Sequence, residues 1–425
     1  MKPPFAYVFE RFPSFTQTFC AREVQELQRL GVCPQIYSIH DTAAEDIRHF
    51  PEELRSRVVV LPQGDALVEA VKSLKSAEKL PPKVVLTLRH WGDKPDKRRV
   101  HEAAWIGYHL QLAGIQHVHA HFAGLAARTC WWLRTFYRIS YSFTGHANDI
   151  LCPDTFEVSR AKLIADAALV VTVSDFTARY LRTTYAHESG GGKKIQRVYN
   201  GLNLEPIAAG IGSQQKSEPP MILSVGRLTE KKGFADLIAA CAVLRDRGLD
   251  FRCEIIGGGE LWDALAAQIA SLQLGDKVIL RGPQDMAQII QKLHQATVFA
   301  LACVTEADGG MDNLPTVLME AMAAALPCVS TRLAGVPEMV VDGETGYLVP
   351  ERQPEAFANA MATLLVERQR AQTFGQAGLA RAREHFAMES TARQLRKTLV
   401  AWGKVTPRWA WIKQDPSLLL AKWLR

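Results

Sequence analysis

The sequence predicts two α/β domains, each a doubly wound, Rossmann-like parallel sheet, which face each other across a cleft. Three observations predict this class. Short β-rich runs alternate with longer amphipathic helical patterns, which is typical of parallel sheets. The alternation restarts after residues 204–219, a stretch of Gly, Ser, Gln, Pro and Lys that is typical of a linker. The 425 residues, at roughly 150 per domain, allow two or three domains.

Composition and charge are those of an ordinary globular protein. Hydrophobic residues make up 48% and charged residues 22%, and the net charge of +6 is too mild to indicate nucleic acid. The eight cysteines include no C-x-x-C pair, so we expect no zinc or redox framework and a reducing compartment. Since neither a signal-peptide pattern nor an apolar run of 18 residues occurs, we expect a cytoplasmic protein, with peripheral contact to the cytoplasmic face of the inner membrane as a further expectation.

The first half predicts six strands and one well-defined helix. The helix is expected at 18–31, with Phe19, Val24, Leu27 and Leu30 on its apolar side. Residues 41–104 carry much charge and a basic cluster, and we interpret them as a solvated helical insertion, with a membrane-facing surface as the alternative. The strands are expected at 5–9, 35–39, 117–120, 140–144, 168–173 and 195–199.

The second half shows the alternation more clearly. Helices are expected at 234–247 and 315–325. Strands are expected at 221–225, 251–256, 278–281, 298–301 and 328–330. The resulting domains are an N-terminal Rossmann-like domain at 1–205, a linker at 206–219, a second Rossmann-like domain at 220–385, and a C-terminal helix and tail at 386–425 that is expected to pack back toward the N-terminal domain.

One candidate site lies in the segment SVGRLTEKKG, residues 224–233. A strand ends at Gly226 and a helix begins near Gly233, so Arg227 and Lys232 lie on a loop at a strand's carboxyl end. Two cations there can hold a diphosphate, and the guanidinium fork can bind two oxygens at once. The alternative is an ordinary solvated basic loop.

A second candidate lies in DGGMDNLPTVLME, residues 308–320. A loop leads into a helix with Pro315 in its first turn, and the N–H groups of a helix start can bind an anion. Asp312 and Glu320 are then roughly 8–10 Å apart along the axis, far enough for a sugar diphosphate to lie between them. Alternatively, Asp312 only caps the helix and Glu320 lies on a solvated face.

Together these segments resemble the retaining family 4 glycosyltransferases of the GT-B fold. The same resemblance extends over about residues 5–350. A subset that builds bacterial surface polysaccharides and glycolipids shares the opening FPSFTQTF of residues 12–19. The other motifs are HAHF at 119–122, SFTGHAND at 142–149, VTVSDF at 171–176, NGL at 200–202, AMA at 321–323, PCVST at 327–331, GVPE at 335–338 and DGETG at 342–346.

The resemblance implies an enzyme, a hexosyltransferase, and gives roles to its residues. The implied enzyme would take its sugar from a nucleoside-diphosphate sugar, UDP- or GDP-linked, bound by the domain at 220–385, with no cofactor and no metal. The acceptor would be a hydroxyl of a glycan or lipid-linked molecule on the side of the N-terminal domain. Asp312 would bind the transferred sugar and His146 would lie near its C6 hydroxyl or the reaction centre; both are the catalytic candidates. At the first acid position the family usually has Glu, so Asp312 is expected to alter sugar preference. The donor-binding candidates are Arg227, Lys232, Gly309, Gly310, Met311, Leu314, Pro315, Thr316 and Glu320.

Several alternatives stay open at this point. His146 could be only a buried, hydrogen-bonded histidine behind a strand end. His119 and His121 lie on one strand face, but no third metal ligand is apparent, so structural roles are favoured. The tail's four Trp, interleaved with Lys and Arg, either pack on the first domain or contact a bilayer interface. The rival functions are a GT-B-like sugar-nucleotide epimerase and a non-catalytic sugar-nucleotide or glycan-binding protein.

Overall fold

The computed structural model describes residues 5–14, 17–42, 47–91, 94, 96–212 and 214–403. Over these residues the first domain has seven parallel strands. They are β1 (Ala6–Arg11), β2 (Gln35–His40), β3 (Val58–Val60), β4 (His117–His121), β5 (Ser140–Gly145), β6 (Leu169–Thr172) and β7 (Ile195–Arg197). Their order in the sheet is β3-β2-β1-β4-β5-β6-β7, which places the carboxyl ends of β1, β4 and β5 side by side.

Helices cover both faces of this sheet, which is why β4 and β5 are almost continuously buried. They are α1 (Thr18–Arg29), α2 (Glu52–Arg55), α3 (Asp65–Ser76), α4 (Pro82–His90), α5 (Lys97–Ala113), α6 (Leu125–Tyr137), α7 (Asn148–Leu151), α8 (Arg160–Asp166) and α9 (Asp175–Thr184). The four-residue helix α10 (Glu205–Ala208) follows where the chain leaves the domain.

The second domain repeats the plan with six parallel strands in the described residues. They are β8 (Met221–Val225), β9 (Arg252–Ile256), β10 (Val278–Leu280), β11 (Val298–Leu301), β12 (Cys328–Thr331) and β13 (Gly346–Val349), in the order β10-β9-β8-β11-β12-β13. The helices are α11 (Phe234–Asp246), α12 (Trp262–Ser271), α13 (Met286–Gln295), α14 (Thr316–Ala323), α15 (Val336–Met339), α16 (Pro354–Val366), α17 (Arg368–His385) and α18 (Met388–Gly403). The predicted fold class, two doubly wound α/β domains, is confirmed.

The interpretation of residues 41–104 as a solvated insertion is wrong for most of the segment. Val58–Val60 forms the edge strand of the first sheet. Leu67, Val71, Val84 and Val100 are buried in the first domain's core. The numerous charges misled the interpretation, because they occupy the outer face of amphipathic helices whose inner face is apolar.

The chain passes between the domains twice, and the two passages are bonded to each other. Leu202 donates its N–H to the carbonyl of Phe386 over 2.9 Å, and Met388 donates to the carbonyl of Leu202 over 3.0 Å. Beyond this crossing, α18 packs against α1, and its Leu395 and Leu399 join the aromatic core beneath the first sheet. Residues 404–425, with three of the four tail Trp, lie outside the described residues, and the side chain of the fourth, Trp402, is not described.

The structure bears on the cysteines and on membrane-spanning helices. All eight cysteines are free thiols, six of them buried. In the described part of the chain, no helix has both the length and the apolar character that crossing a membrane requires.

Candidate functional site at the cleft between the domains

The predicted phosphate loop lies at the carboxyl end of β8, in the middle of the second sheet. Arg227 is exposed on this loop, whereas Lys231 and Lys232 are half-buried in the short 3-10 turn Glu230–Lys232 that follows. The three cations therefore gather at one strand end. Since ligands bind parallel α/β sheets beyond the carboxyl ends of their strands, this loop lies where a ligand is expected.

Two glycines hold this loop in position. Gly233 has φ +65°, and a Cβ there would meet the carbonyl oxygen of Ala302 at 1.6 Å. Gly257, at the end of β9, has φ +146°, and its Cβ would meet the carbonyl oxygen of Gly226 at 1.9 Å. Backbone approaches this close leave no room for any side chain. Gly257, the first residue of the GGG run at 257–259, thus allows the loop after β9 to pack directly against the loop after β8.

Asp312 contacts the lysines of this loop directly. Its Oδ2 pairs with Lys232 Nζ at close range, and its Oδ1 lies 3.9 Å from Lys231 Nζ. Burial works against the charge of Lys232, but Asp312 outweighs burial, so the pKa of Lys232 lies above its ordinary value. The alternative role of Asp312 as a helix cap is excluded, because Pro315 occupies the cap position and no side chain bonds there.

Glu320 lies inside α14 and is 6% exposed, so it is not on a solvated face. Burial raises the pKa of Glu320 above its ordinary value, while Arg22 and Lys232 act to lower it. Arg22 belongs to α1 of the first domain, so a cation of each domain is near enough to Glu320 to influence its charge. A buried carboxylate between two cations is well placed to accept hydrogen bonds from hydroxyl groups.

The segment before α14 forms a tight turn. Gly309 has φ +86°, and Gly310 donates its N–H to Asp308 Oδ1 over 2.8 Å. Met311 is half-buried against the second core, and Leu314 is buried. Pro315 then occupies the cap position and Thr316 begins the helix, whose first N–H groups can bind an anion.

His146 follows β5 on the first-domain side of the cleft and is 6% exposed. Its Nε2 lies 3.1 Å from His121 Nδ1, and its ring packs against Phe19 and Phe122. Its carbonyl accepts a hydrogen bond from Asn313 Nδ2 over 2.6 Å. His146 is therefore both a buried histidine, as the alternative held, and a residue at the junction of the domains. Its role stays a prediction.

Two of the three histidines of β4 are hydrogen-bonded to hydroxyl groups of β5, whereas His121 is bonded to His146 and Glu23. His117 bonds Ser140 and Ser142, and His119 bonds Ser142 and Thr144, all over 2.7–2.9 Å. These partners account for both nitrogens of each ring. Within the described residues, no group of three or more His, Cys, Asp and Glu could hold a metal ion.

Sequence reasoning missed three residues that the structure brings to this region. Lys231 adjoins Lys232 in the motif and reaches the same carboxylate. Arg22 follows the opening motif by three residues and faces Glu320. Asn313 adjoins Asp312, yet within the described part of the chain its side chain bonds only first-domain groups: His146, Ser174 and Thr177. Of these three residues, only Lys231 carried a signal in the sequence, as a third cation within the predicted loop.

A family comparison identifies the second domain. Residues 211–381 match the family model of glycosyl transferases, group 1. The match contains the phosphate loop, the acids Asp312 and Glu320, and all six strands of the second sheet.

Curated relatives match over part of their length. Over 147 residues the chain is 42% identical to the amylovoran biosynthesis glycosyltransferase AmsK of Erwinia amylovora, covering 35% of this chain and 36% of that protein. Over 235 residues it is 28% identical to a GDP-mannose-dependent alpha-(1-6)-phosphatidylinositol monomannoside mannosyltransferase of Mycolicibacterium smegmatis, covering 53% and 59%. The chain thus spans about a third of the length of the first relative.

Solved structures share the whole fold. A glycosyltransferase from Rickettsia africae superposes with a TM-score of 0.71 at 16% identity, covering 95% of this chain and 100% of that one. HepE from Anabaena, solved in complex with UDP, gives 0.66 at 17% identity, covering 93% and 100%. The likeness to these structures confirms the predicted GT-B fold, and the family match over residues 211–381 supports the predicted resemblance to glycosyltransferases.

Proposed function

We propose that this GT-B glycosyltransferase moves a hexose from a nucleoside-diphosphate sugar to a hydroxyl of a glycan or lipid-linked acceptor, in the synthesis of a cell-envelope polysaccharide or glycolipid. One observation carries the proposal. On the loop that follows β8, Lys232 is held by Asp312, which lies just before α14, and the exposed Arg227 belongs to the same loop. Cations held in place before the ligand arrives can stabilise charge without first reorganising.

In this reaction the main charge that the site must stabilise is the negative charge of the leaving diphosphate. Arg227, Lys231 and Lys232 supply three positive charges, and the first N–H groups of α14 add a partial one. In this proposal the diphosphate takes over part of the contact that Asp312 makes with Lys232, and no metal ion is required. Asp312 is then free to accept from hydroxyl groups of the transferred sugar.

Glu320 is proposed to bind the ribose hydroxyls. Its burial keeps competing water away, and Arg22 and Lys232 favour its ionised form against that burial. His146 belongs to the first domain, and in this proposal the acceptor binds on that side. The names of the relatives support either nucleotide: one relative is GDP-mannose-dependent and one solved structure holds UDP.

Retention of the anomeric configuration is part of the proposal. A double displacement would need two carboxylates flanking the bond at close distance. We propose instead a front-face route in which the leaving phosphate accepts the proton of the acceptor hydroxyl. Peripheral location on a membrane, which would suit a lipid-linked acceptor, likewise stays a proposal.

Calorimetry and transfer assays test this function. UDP, GDP and their glucose and mannose conjugates are titrated into the full chain, and transfer is followed with membrane lipid extracts and oligosaccharides as acceptors. Lys232→Ala and Arg227→Ala should weaken nucleotide binding by about 10- to 100-fold each, since a charge-assisted hydrogen bond contributes about 1.5–3 kcal/mol.

Arg247→Ala is the matched control, because Arg247 lies at the opposite end of α11 and pairs with Glu355 on the surface. Donor turnover without any acceptor would favour the epimerase instead. Tight donor binding with no transfer to any acceptor would favour a binding protein.

A further inference from the structure

A chain of hydrogen bonds runs from the cleft into the first domain. His146 Nε2 lies 3.1 Å from His121 Nδ1, and His121 Nε2 lies 3.1 Å from Glu23 Oε1. The hydroxyl of Tyr7 donates to the same oxygen of Glu23. The carboxylate comes from α1, His121 from the end of β4 and His146 from the loop after β5, so three elements meet here.

The first proton of this chain is fixed by chemistry. An ionised carboxylate only accepts hydrogen bonds, so His121 must donate from Nε2 to Glu23. The distances do not show whether Nδ1 of His121 carries a proton. If Nδ1 is protonated, His146 Nε2 accepts from it, and the proton of the neutral His146 ring is on Nδ1. If Nδ1 is bare, His146 donates from Nε2, and its own Nδ1 is an acceptor.

We propose that Glu23 and His121 are positioning residues: His121 carries both protons, and His146 therefore presents a protonated Nδ1 as a hydrogen-bond donor to substrate. Among the described residues, His146 Nδ1 has no hydrogen-bond partner, so it is the nitrogen left for a ligand. What it donates to, a hydroxyl or phosphate oxygen of the donor or acceptor, rests on the proposed function. The proton positions themselves do not.

The surroundings of His121 support a charged ring. The titratable groups packed against it are Tyr7 on β1, Cys20 and Glu23 on α1, His119 on its own strand, and His146. Burial alone would lower the pKa of His121, but Cys20 and Glu23 outweigh burial and raise that pKa to about 10. Burial raises the pKa of the Cys20 thiol, so near neutral pH the hydrogen-bonded carboxylate of Glu23 is the partner that stabilises the charged ring.

The neighbouring histidines are neutral for complementary reasons. Burial, assisted by the charge of His121, lowers the pKa of both His119 and His146 well below the ordinary value. A single imidazolium next to one carboxylate is the arrangement that leaves the cluster without net charge.

The inference has a mechanistic consequence. A histidine whose ligand-facing nitrogen is already protonated cannot remove the proton of an acceptor hydroxyl. His146 then stabilises developing negative charge as a donor. The bond between the anomeric carbon and the phosphate oxygen breaks, the acceptor oxygen bonds to that carbon, and the acceptor's proton passes to the leaving phosphate oxygen.

Nitrogen NMR of the full chain, with ¹⁵N-labelled histidine and no ligand, tests the proton positions. Long-range ¹H–¹⁵N correlations distinguish the two neutral tautomers from imidazolium, and His121→Asn and His146→Asn assign the signals. We expect imidazolium for His121 and the Nδ1–H tautomer for His146 near neutral pH. An Nε2–H tautomer of His146 would overturn the inference.

Variants of Glu23 separate positioning from folding. Glu23→Gln should leave His121 neutral and move the proton of His146 to Nε2, while Glu23→Asp should preserve the wild-type pattern. His117→Asn removes another buried histidine of β4 and should leave His146 unchanged; thermal melting checks that each variant is folded. An unchanged His146 tautomer in folded Glu23→Gln would contradict the role of Glu23.

Kinetics then connects the tautomer with turnover. With UDP-glucose or GDP-mannose, Glu23→Gln should lower kcat by about 100-fold, the effect of losing one donor to developing charge, with little change in KM. Full kcat together with a shifted tautomer would overturn the link to catalysis. If the wild-type chain transfers no sugar at all, the proposed function fails, and the NMR result still stands by itself.

Discussion

Asn313 Nδ2, in the second domain, lies 2.6 Å from the carbonyl oxygen of His146, in the first, and donates a hydrogen bond to it. The same side chain bonds Thr177 over 2.9 Å and accepts from Ser174 Oγ over 2.8 Å. One 3%-exposed amide thus uses its donors and its acceptor on three groups of the other domain. The first-domain and second-domain halves of the site are joined through this residue.

Asn313→Ala should therefore loosen the contact between the domains. Three buried hydrogen bonds are lost, each of which contributes about 1 kcal/mol to stability, and the groups of the first domain lose Asn313 as a partner. We expect a lower melting temperature, a larger radius of gyration in small-angle scattering, and faster proteolysis between the domains. Asn359→Ala, at an exposed asparagine of α16, is the control. An unchanged radius together with unchanged proteolysis would show that other contacts hold the domains.

Glu338→Gln tests a second contact between the domains. Both carboxylate oxygens of Glu338 accept backbone N–H groups at the start of α9, from Asp175 over 2.7 Å and from Phe176 over 2.8 Å. A negative charge at a helix N-terminus contributes about 0.3–2 kcal/mol, so the amide should reduce stability by about 1 kcal/mol. Urea unfolding measures it, and Glu344→Gln on an exposed turn should have no effect.

Gly233→Ala should damage the donor loop itself. The added Cβ would meet the carbonyl of Ala302 at 1.6 Å, so the segment carrying Lys232 must move. Gly248→Ala is a close control: Gly248 has φ +73° at the other end of α11, with nothing within 4 Å of the added atom. We expect about 1 kcal/mol of destabilisation in the control and clearly more, with loss of nucleotide binding, in Gly233→Ala. Equal losses of stability and of nucleotide binding in the two variants would contradict a role for the close approach of Gly233 to Ala302.

Glu102 gives the protein a predictable dependence on pH. Burial raises the pKa of Glu102 to about 7, against the opposing effects of Arg99 and Thr129. A carboxyl whose pKa is raised by folding stabilises the fold while it is protonated. That contribution is complete below its ordinary pKa of 4.5 and is lost as the pH rises through about 7.

Glu102→Gln removes this titration. The free energy of unfolding of the variant, relative to wild type, should rise by about 2–3 kcal/mol between pH 4.5 and pH 8, since each pKa unit corresponds to about 1.4 kcal/mol. Urea denaturation at both pH values measures the difference. Glu69→Gln, at an exposed carboxylate, should show no such trend, and a relative stability of Glu102→Gln that falls with pH would contradict the assignment.

Much of the fold could be predicted because its signals are local. The strands β8 and β11 have their predicted bounds, since both are apolar runs between turn residues. The edge strand at Val58–Val60 was missed, because three residues are too few to show a period among so many charges. Strand β13 was missed for a similar reason: Gly346 and Tyr347 interrupt its apolar character.

The site was predictable only in part. Arg227, Lys232, Asp312 and Glu320 stand in two short motifs whose residue types indicate phosphate and hydroxyl binding. Glu23 gave no signal, because its partners lie 16 and 98 residues away along the chain, on β1 and β4. Contacts between separate elements of this kind depend on the packing of α1 against the sheet.

The bonded crossing at Leu202 and Ala387 constrains how the two domains can move relative to each other. Two unconnected passages would attach the domains at two separate places, whereas two passages bonded together attach them along one line. Once the contacts of Asn313 and Glu338 are broken, we therefore expect any relative rotation of the domains to have its axis close to this line, so that the displacement grows with distance from it.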